Sequence, residues 1–210
     1  MSISEKVLVV NLEDIEDSTR KDIINHLFTT RTLEVESFAV NDNPLSFIER
    51  SKAETDTNYV QLVRMAYFVR RVNGELEIFG CKRISKSNEK RLNNTFTVLF
   101  GGHTNISDKC GTLLDTLDKA MLREISEELS LPKELKRILP KVSYIYTPDS
   151  SKDFVSNYHA CDIVAFDMTN MSNIYILETD KLSNGAFYTI NQLKEMNLEN
   201  WSQLIVESLN

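Results

Sequence analysis

The chain has 210 residues, of which 41% are hydrophobic and 26% are charged, and its formal net charge is −7. This length can bury a substantial core, and we interpret residues 1–210 as a single domain. The acidic balance disfavours a broad surface for nucleic acids or anionic membranes, because both carry negative charge. The three cysteines lack the paired spacing of metal ligands, which predicts reduced thiols in a cytoplasmic protein.

Residues 1–62 are interpreted as an N-terminal extension that adds a strand and a helix. The apolar pattern predicts a short strand at Lys6–Val10 and a helix around Glu16–Leu27. The first apolar run is too short for a signal sequence or a membrane span. The polar stretch Glu49–Asn58 is predicted to be a mobile loop.

Two β-rich runs follow, Arg64–Val72 and Glu75–Arg83, and Asn73-Gly74 joins them. An Asn-Gly pair between such runs is a strong hairpin signal, because both positions of the tight turn require a positive φ. A further strand, Phe96–Phe100, leads directly into a pair of glycines. The sequence therefore predicts a sheet that ends in a tight glycine turn.

An acidic helix is predicted after the glycines, and Glu124, Glu127 and Glu128 lie on one of its faces. Like charges at this spacing repel, by roughly 0.2–0.5 kcal/mol per pair. A solvated surface is the ordinary explanation of such a face. A divalent cation bound by carboxylate oxygens would offset the repulsion and would also hold a phosphate. The turn Gly101-Gly102 favours the cation, since glycine lets a backbone carbonyl approach closely.

Downstream, the pattern predicts alternating short helices and strands. They are a helical piece at Lys133–Leu139, strands at Val142–Thr147, Tyr158–Phe166 and Ala186–Ile190, and helices near Gln192–Met196 and Trp201–Leu209. This mixture predicts an α/β fold.

The order of strand, glycine turn, loop and acidic helix resembles the Nudix box of the Nudix hydrolases. The residues that match its pattern are Gly102, Arg123, Glu124, Ile125, Glu127, Glu128 and Leu131. The resemblance implies an α/β/α sandwich around a mixed β-sheet, with the Nudix core at residues 63–210. The form of the glycine turn is similar to that of a divergent branch described as predicted phosphoesterases.

Three departures from the box pattern stand out. The loop carries extra residues, Ser130 replaces a late glycine, and an aspartate replaces the box glutamate. We favour Asp115 as the aspartate that pairs with Arg123, with the helix beginning near Thr116. If the helix instead begins at Thr112, Asp108 is the aspartate left to reach the arginine.

The resemblance also implies roles for the matching residues. Glu127 and Glu128 would ligate Mg²⁺ or Mn²⁺, with the carbonyl of Gly102 close by. Glu124 would be a further ligand or the general base, and Arg123 would orient these carboxylates through its planar guanidinium.

Substrate contacts are expected outside the box. Arg83 and Arg91 lie in a locally basic stretch that could meet a phosphate, although a solvated loop is an equally good interpretation. His103, which follows the glycines, could donate to a phosphate oxygen or assist proton transfer. Either Glu178 or Asp180 is a candidate for an additional metal ligand, although ordinary loop acids are the simpler interpretation. The aromatic candidates for substrate contact are Phe47, Tyr59, Tyr146 and Phe154.

The sequence thus favours a metal-dependent phosphohydrolase that acts on a small phosphorylated substrate, a nucleoside diphosphate derivative. It disfavours nucleic acid and a membrane as partners and leaves a homodimer open. Two alternatives remain. One is a Nudix-fold module that binds a nucleotide without catalysis, and the other is an unrelated interaction module with an acidic helix.

Overall fold

A computed structural model describes residues 5–13, 15–29, 45–84, 94–148, 158–171 and 173–210. The helices are α1 (Asp17–Thr29), α2 (Arg50–Ala53), α3 (Leu113–Glu128), α4 (Ile190–Lys194) and α5 (Asn200–Ser208). The strands are β1 (Lys6–Asn11), β2 (Leu45–Glu49), β3 (Tyr59–Val72), β4 (Glu75–Arg83), β5 (Phe96–Thr97), β6 (Phe100–Gly102), β7 (Leu129–Ser130), β8 (Lys136–Ile138), β9 (Tyr144–Ile145), β10 (His159–Asp167), β11 (Tyr175–Ile176) and β12 (Leu182–Thr189). The predicted α/β fold is confirmed. Within the described part of the chain, no helix is long and apolar enough to cross a membrane.

The chain forms two compact units. The first contains Met1–Arg64, Gly101–Leu122 and Tyr144–Asp162, and the second contains Met65–Phe100, Arg123–Ser143 and Ile163–Asn210. β3, α3 and β10 each begin in the first unit and continue into the second. The interpretation of the chain as one domain remains a prediction.

In the first unit, β1 lies between β2 and the start of β3 and is antiparallel to both. The backbone N–H of Gln61 donates to the carbonyl of Tyr158 over 2.7 Å, which joins β3 to β10. In the second unit Met168 donates to the carbonyl of Val69, so both strands advance in the same direction. β3 and β10 are therefore parallel, and the sheet is mixed, as the resemblance implied.

Successive side chains of these strands point to alternate faces of the sheet, which explains the core of the first unit. Leu8 and Val10 of β1 and Val60 and Leu62 of β3 are buried on one face, as a strand period of two requires. Their helix partners are Ile24, Leu27 and Phe28 of α1 and Leu113 and Leu117 of α3. The burial of these side chains holds the first half of α3 against the sheet, at roughly 1.5–3 kcal/mol per large aliphatic residue.

In the second unit, β3 and β4 form the predicted hairpin. Asn73 and Gly74 have φ values of 51° and 85°, as the tight turn requires. β12 pairs with the other edge of β4. The hydroxyl of Ser202 in α5 accepts a hydrogen bond from the N–H of Val98 over 3.0 Å, which ties this helix to the strand region.

Two local expectations are wrong. The predicted helical piece Lys133–Leu139 is the strand β8, since Ile138 pairs with Ala165 in β10 and strand pairing overrides a weak helical pattern. The stretch Glu49–Asn58, expected to be a mobile loop, contains α2, whose Ala53 is fully buried.

Candidate functional site

The acidic helix α3 begins at Leu113, earlier than the favoured start near Thr116. The Asp115 carboxylate accepts hydrogen bonds from the backbone N–H and the hydroxyl of Thr112, at 2.9 and 2.8 Å. These bonds lower the pKa of Asp115. Asp115 thus caps the helix, as acids near a helix start commonly do. The expected pairing of Asp115 with Arg123 is wrong, because eight residues along one helix span about 12 Å.

A buried arginine secures the first half of α3. Arg64 of β3 is 5% exposed and donates to Asp162 of β10 at 2.5 Å and to Asp118 of α3 at 2.6 Å. A third bond reaches the carbonyl of Leu114. This cluster lies wholly within the first unit. It ties two strands and a helix together, and sequence reasoning missed it. The available signal was a charged residue flanked by apolar residues inside each of two strands.

The second half of α3 carries the predicted site carboxylates. Nη1 of Arg123 lies 2.6 Å from Oε1 of Glu124 and 3.6 Å from Oε1 of Glu127. The side chain of Glu124 is 23% exposed and that of Glu127 is 59% exposed. One guanidinium thus contacts two of the three carboxylates, while the role of Arg123 in orienting them stays a prediction. The guanidinium also offsets their mutual repulsion.

Glu128 is the last residue of α3. Its carbonyl accepts a hydrogen bond from the N–H of Leu177 over 2.8 Å, and its Oε2 atom is buried. Glu178 follows Leu177, and its carboxylate accepts a 2.5 Å hydrogen bond from Nζ of Lys181. The helix end and the segment of Glu178 are therefore neighbours, while the suggested metal-ligand role of Glu178 or Asp180 stays a prediction.

The donor chemistry of this helix face fits a hard divalent cation, because carboxylate oxygens are the ligands that Mg²⁺ and Mn²⁺ prefer. Among the described residues, however, no group of three or more His, Cys, Asp or Glu side chains is placed to hold a metal ion. Glu124, Glu127 and Glu128 remain the predicted ligands together with Gly102.

The glycine turn belongs to the first unit. Gly101 has a φ of 139°, a conformation that favours glycine, and Gly102 ends β6. The next residue, His103, places its ring centroid 5.7 Å from that of His159 in β10. Asp108, the other aspartate considered for Arg123, is buried and accepts a 2.9 Å hydrogen bond from the N–H of Asn105. The turn thus brings together two histidines that the sequence separates widely.

Arg83 occupies a different environment from the one expected. Its Nε forms a short ion pair with Glu199, and the side chains of the two residues are only 17% and 12% exposed. Burial lowers the pKa of Arg83, but the charges of Glu199 and Glu128 outweigh burial and hold it above its usual range. Arg83 is thus engaged mainly inside the second unit, which gives no support to its predicted role in binding a substrate phosphate.

The other predicted substrate contacts have mixed outcomes. Arg91 and Phe154 lie outside the described residues. Tyr146 is buried in the core of the first unit, where Phe47 packs at its edge. Tyr59 packs against the apolar group of Val7, Val9 and Ala53. These positions are explained by packing, so they do not identify a substrate pocket.

The two parts of the box motif fall in different units. Gly102 and His103 belong to the first unit, and Arg123, Glu124 and Glu128 belong to the second.

A comparison with protein-family profiles finds no match. The chain is 26% identical over 166 residues to Protein YmaB of Bacillus subtilis strain 168, a similarity that covers 77% of each chain. Among solved structures, it resembles the crystal structure of Tm1382, named there as a candidate Nudix hydrolase, with a TM-score of 0.62 and 21% identity. That match covers 98% of both chains. The chain therefore has the Nudix fold.

Proposed function

We propose that the protein is a metal-dependent phosphohydrolase that cleaves the diphosphate linkage of a small nucleoside diphosphate derivative by attack of water. The observation that carries this proposal is the carboxylate face of α3, where Arg123 contacts Glu124 and Glu127 in a chain with the Nudix fold. Nudix hydrolases generally use divalent metal ions.

In this proposal, Glu127 and Glu128 would hold Mg²⁺ or Mn²⁺ through their carboxylate oxygens. The bound ion would neutralise the diphosphate and lower the pKa of a bound water. Glu124 holds the ion as a further ligand or takes the proton of the attacking water as general base. The ion pair with Arg123, at 2.6 Å, supports either role because it restrains the carboxylate.

A small substrate fits the charge of the protein. The net charge is −7, so a long polyanion would meet repulsion that only many basic contacts could offset. A single diphosphate needs far fewer, and a bound metal supplies two positive charges itself. We therefore propose nucleotide sugars, dinucleoside polyphosphates or nucleoside triphosphates as the substrate class, in preference to RNA or DNA.

The proposal is tested by assaying these three groups of compounds alongside 5′-triphosphorylated RNA at physiological salt. Released phosphate or pyrophosphate is measured with Mg²⁺, with Mn²⁺ and with EDTA. We expect turnover of a small compound that requires the metal. Full turnover in EDTA would overturn the metal site, and preference for the RNA would overturn the substrate class.

The second candidate is a Nudix-fold module that binds a nucleotide without hydrolysing it. It is favoured by one observation, the lack of a convergent metal-binding group among the described side chains. Thermal-shift titrations separate the two candidates, since a ligand that binds only the folded state raises Tm. Stabilisation by nucleotides without any turnover in either metal would favour the binding module.

A further inference from the structure

A buried glutamine stands out on the sheet face opposite to α1 and α3. Gln61 of β3 is 1% exposed, and neither the oxygen nor the nitrogen of its side-chain amide has a hydrogen-bond partner among the described residues. Buried amides are nearly always hydrogen-bonded, because losing water without replacement is unfavourable. An amide with both atoms unsatisfied therefore points to a missing partner.

Strand register identifies the neighbours of Gln61. Its N–H donates to the carbonyl of Tyr158, so in this parallel pair Gln61 lies directly beside His159. Arg64 and Asp162, which are in contact, show the same offset of 98 residues. Residues directly opposite each other share a sheet face, so the side chains of Gln61 and His159 lie side by side.

His103 completes this group, since its ring centroid lies 5.7 Å from that of His159, with the two planes inclined by 61°. His159 is 8% exposed, and His103 is half-buried. The group therefore runs from a fully buried amide to an imidazole that reaches solvent. All three residues belong to the first unit, and His103 directly follows Gly102.

The chemistry of the group selects its ligand. An amide presents a donor and an acceptor in one plane, and its carbonyl oxygen repels a phosphate oxygen. The matching ligand is neutral and planar and both donates and accepts along one edge. Nucleobases have such edges, and glutamine makes paired hydrogen bonds with them. Imidazole rings also stack on the faces of bases.

We propose that Gln61, His159 and His103 form the site that recognises the nucleobase of the substrate, with the Gln61 amide reading the hydrogen-bonding edge of the base. This inference rests on the proposed function, since it identifies the part of the nucleoside diphosphate that the first unit binds. The sequence alone did not identify Gln61 as a site residue, because a single amide in an apolar strand does not indicate a binding site by itself.

The test measures base preference in binding, separately from hydrolysis. Affinities for ADP, GDP, CDP and UDP are determined by calorimetry in EDTA, for the wild type and for Gln61→Met. Methionine keeps the length and volume of the side chain but cannot donate and is at most a weak acceptor. We expect the wild type to prefer one base at least about tenfold, and the variant to lose that preference.

Gln203→Met is the matched control, because Gln203 is an exposed residue of α5 whose side-chain amide donates to Glu207 over 2.7 Å. A second variant, Gln61→Glu, keeps the shape of the side chain but replaces the amide NH₂ group with a carboxyl oxygen, and we expect it to change which base is preferred. Thermal melts confirm that each variant is folded.

An unchanged base preference in folded Gln61→Met would overturn the inference and would mean that a buried water or another part of the chain satisfies the amide. The absence of any base preference in the wild type would overturn it as well. If a base preference depends on Gln61 but no compound is hydrolysed, the inference stands and the proposed hydrolase activity fails.

Discussion

The two halves of α3 use acidic residues in different ways. In the first half, Asp115 caps the helix at Thr112, and Asp118 binds the buried Arg64. In the second half, Glu124 and Glu127 share Arg123, and the Glu127 side chain is 59% exposed. The acids of the first half are thus bound closely by structural partners, Asp115 by Thr112 within one turn and Asp118 by Arg64 of β3. The acids crowded around the Arg123 guanidinium are the ones that we propose as metal ligands.

The largest effect expected from this contrast is on stability. Arg64→Met leaves the carboxylates of Asp162 and Asp118 without their buried cation, and breaking such a pair costs about 3–5 kcal/mol. Urea denaturation measures the free energy of unfolding. The control is Arg50→Met, whose exposed pairs with Glu5 and Glu54 should contribute less than about 1 kcal/mol. Equal losses in the two variants would contradict the structural role of Arg64.

In the second half of α3, the effect should fall on activity instead. Glu127→Gln and Glu128→Gln are each expected to reduce kcat at least about a hundredfold, as the loss of one preorganised charged group does elsewhere. The free energy of unfolding of Glu127→Gln in EDTA should stay within about 0.5 kcal/mol of the wild type, because like-charge repulsion is relieved at an exposed side chain. Glu134→Gln, an exposed acid beyond the helix, is the control. Wild-type turnover in both variants would remove these residues from the site.

A substitution of Arg123 tests whether this residue orients the carboxylates of Glu124 and Glu127. In the Arg123→Lys variant, the lysine keeps the positive charge but cannot hold two carboxylates through one planar group. We expect kcat to fall about tenfold or more, with little change in KM or in stability. Arg71→Lys, an exposed residue that donates to the carbonyl of Gly74, provides the comparison. A rise in KM alone would indicate that Arg123 contacts the substrate directly.

Local chemistry explains which parts of this molecule could be predicted from the sequence. Asn73-Gly74 determines its own turn, and the carboxylate face of α3 follows from helical spacing. The strand β8 was missed because its pairing partner lies in β10, far along the sequence. The partners of Arg64 and the neighbours of Gln61 could not be predicted for the same reason, because they also lie far along the sequence. The register between parallel strands is set by the whole fold.

The helix start was missed for a different reason. Thr112 and Asp115 have the spacing of a capping box, but the resemblance favoured a longer-range role for the aspartate. A local hydrogen bond that forms within one turn needs no other part of the chain to be ordered. It therefore prevails over a contact that the helix geometry places out of reach.

The smallest expected effect is a pH-dependent change in Tm when the Asp115 cap is removed. Hydrogen bonds from Thr112 lower the pKa of Asp115 below its ordinary value of 3.8, so the folded state favours the ionised carboxylate. Its contribution to stability is therefore fully present above pH 4 to 5 and is lost as the pH falls through the lowered pKa, roughly as linkage requires. Asp115→Asn should melt slightly below the wild type at pH 7, and the difference in Tm should vanish in stronger acid. A difference that stays constant from pH 7 down to about pH 2, a range that includes the titration of an aspartate with a lowered pKa, would mean that the Asp115 charge does not stabilise the start of α3.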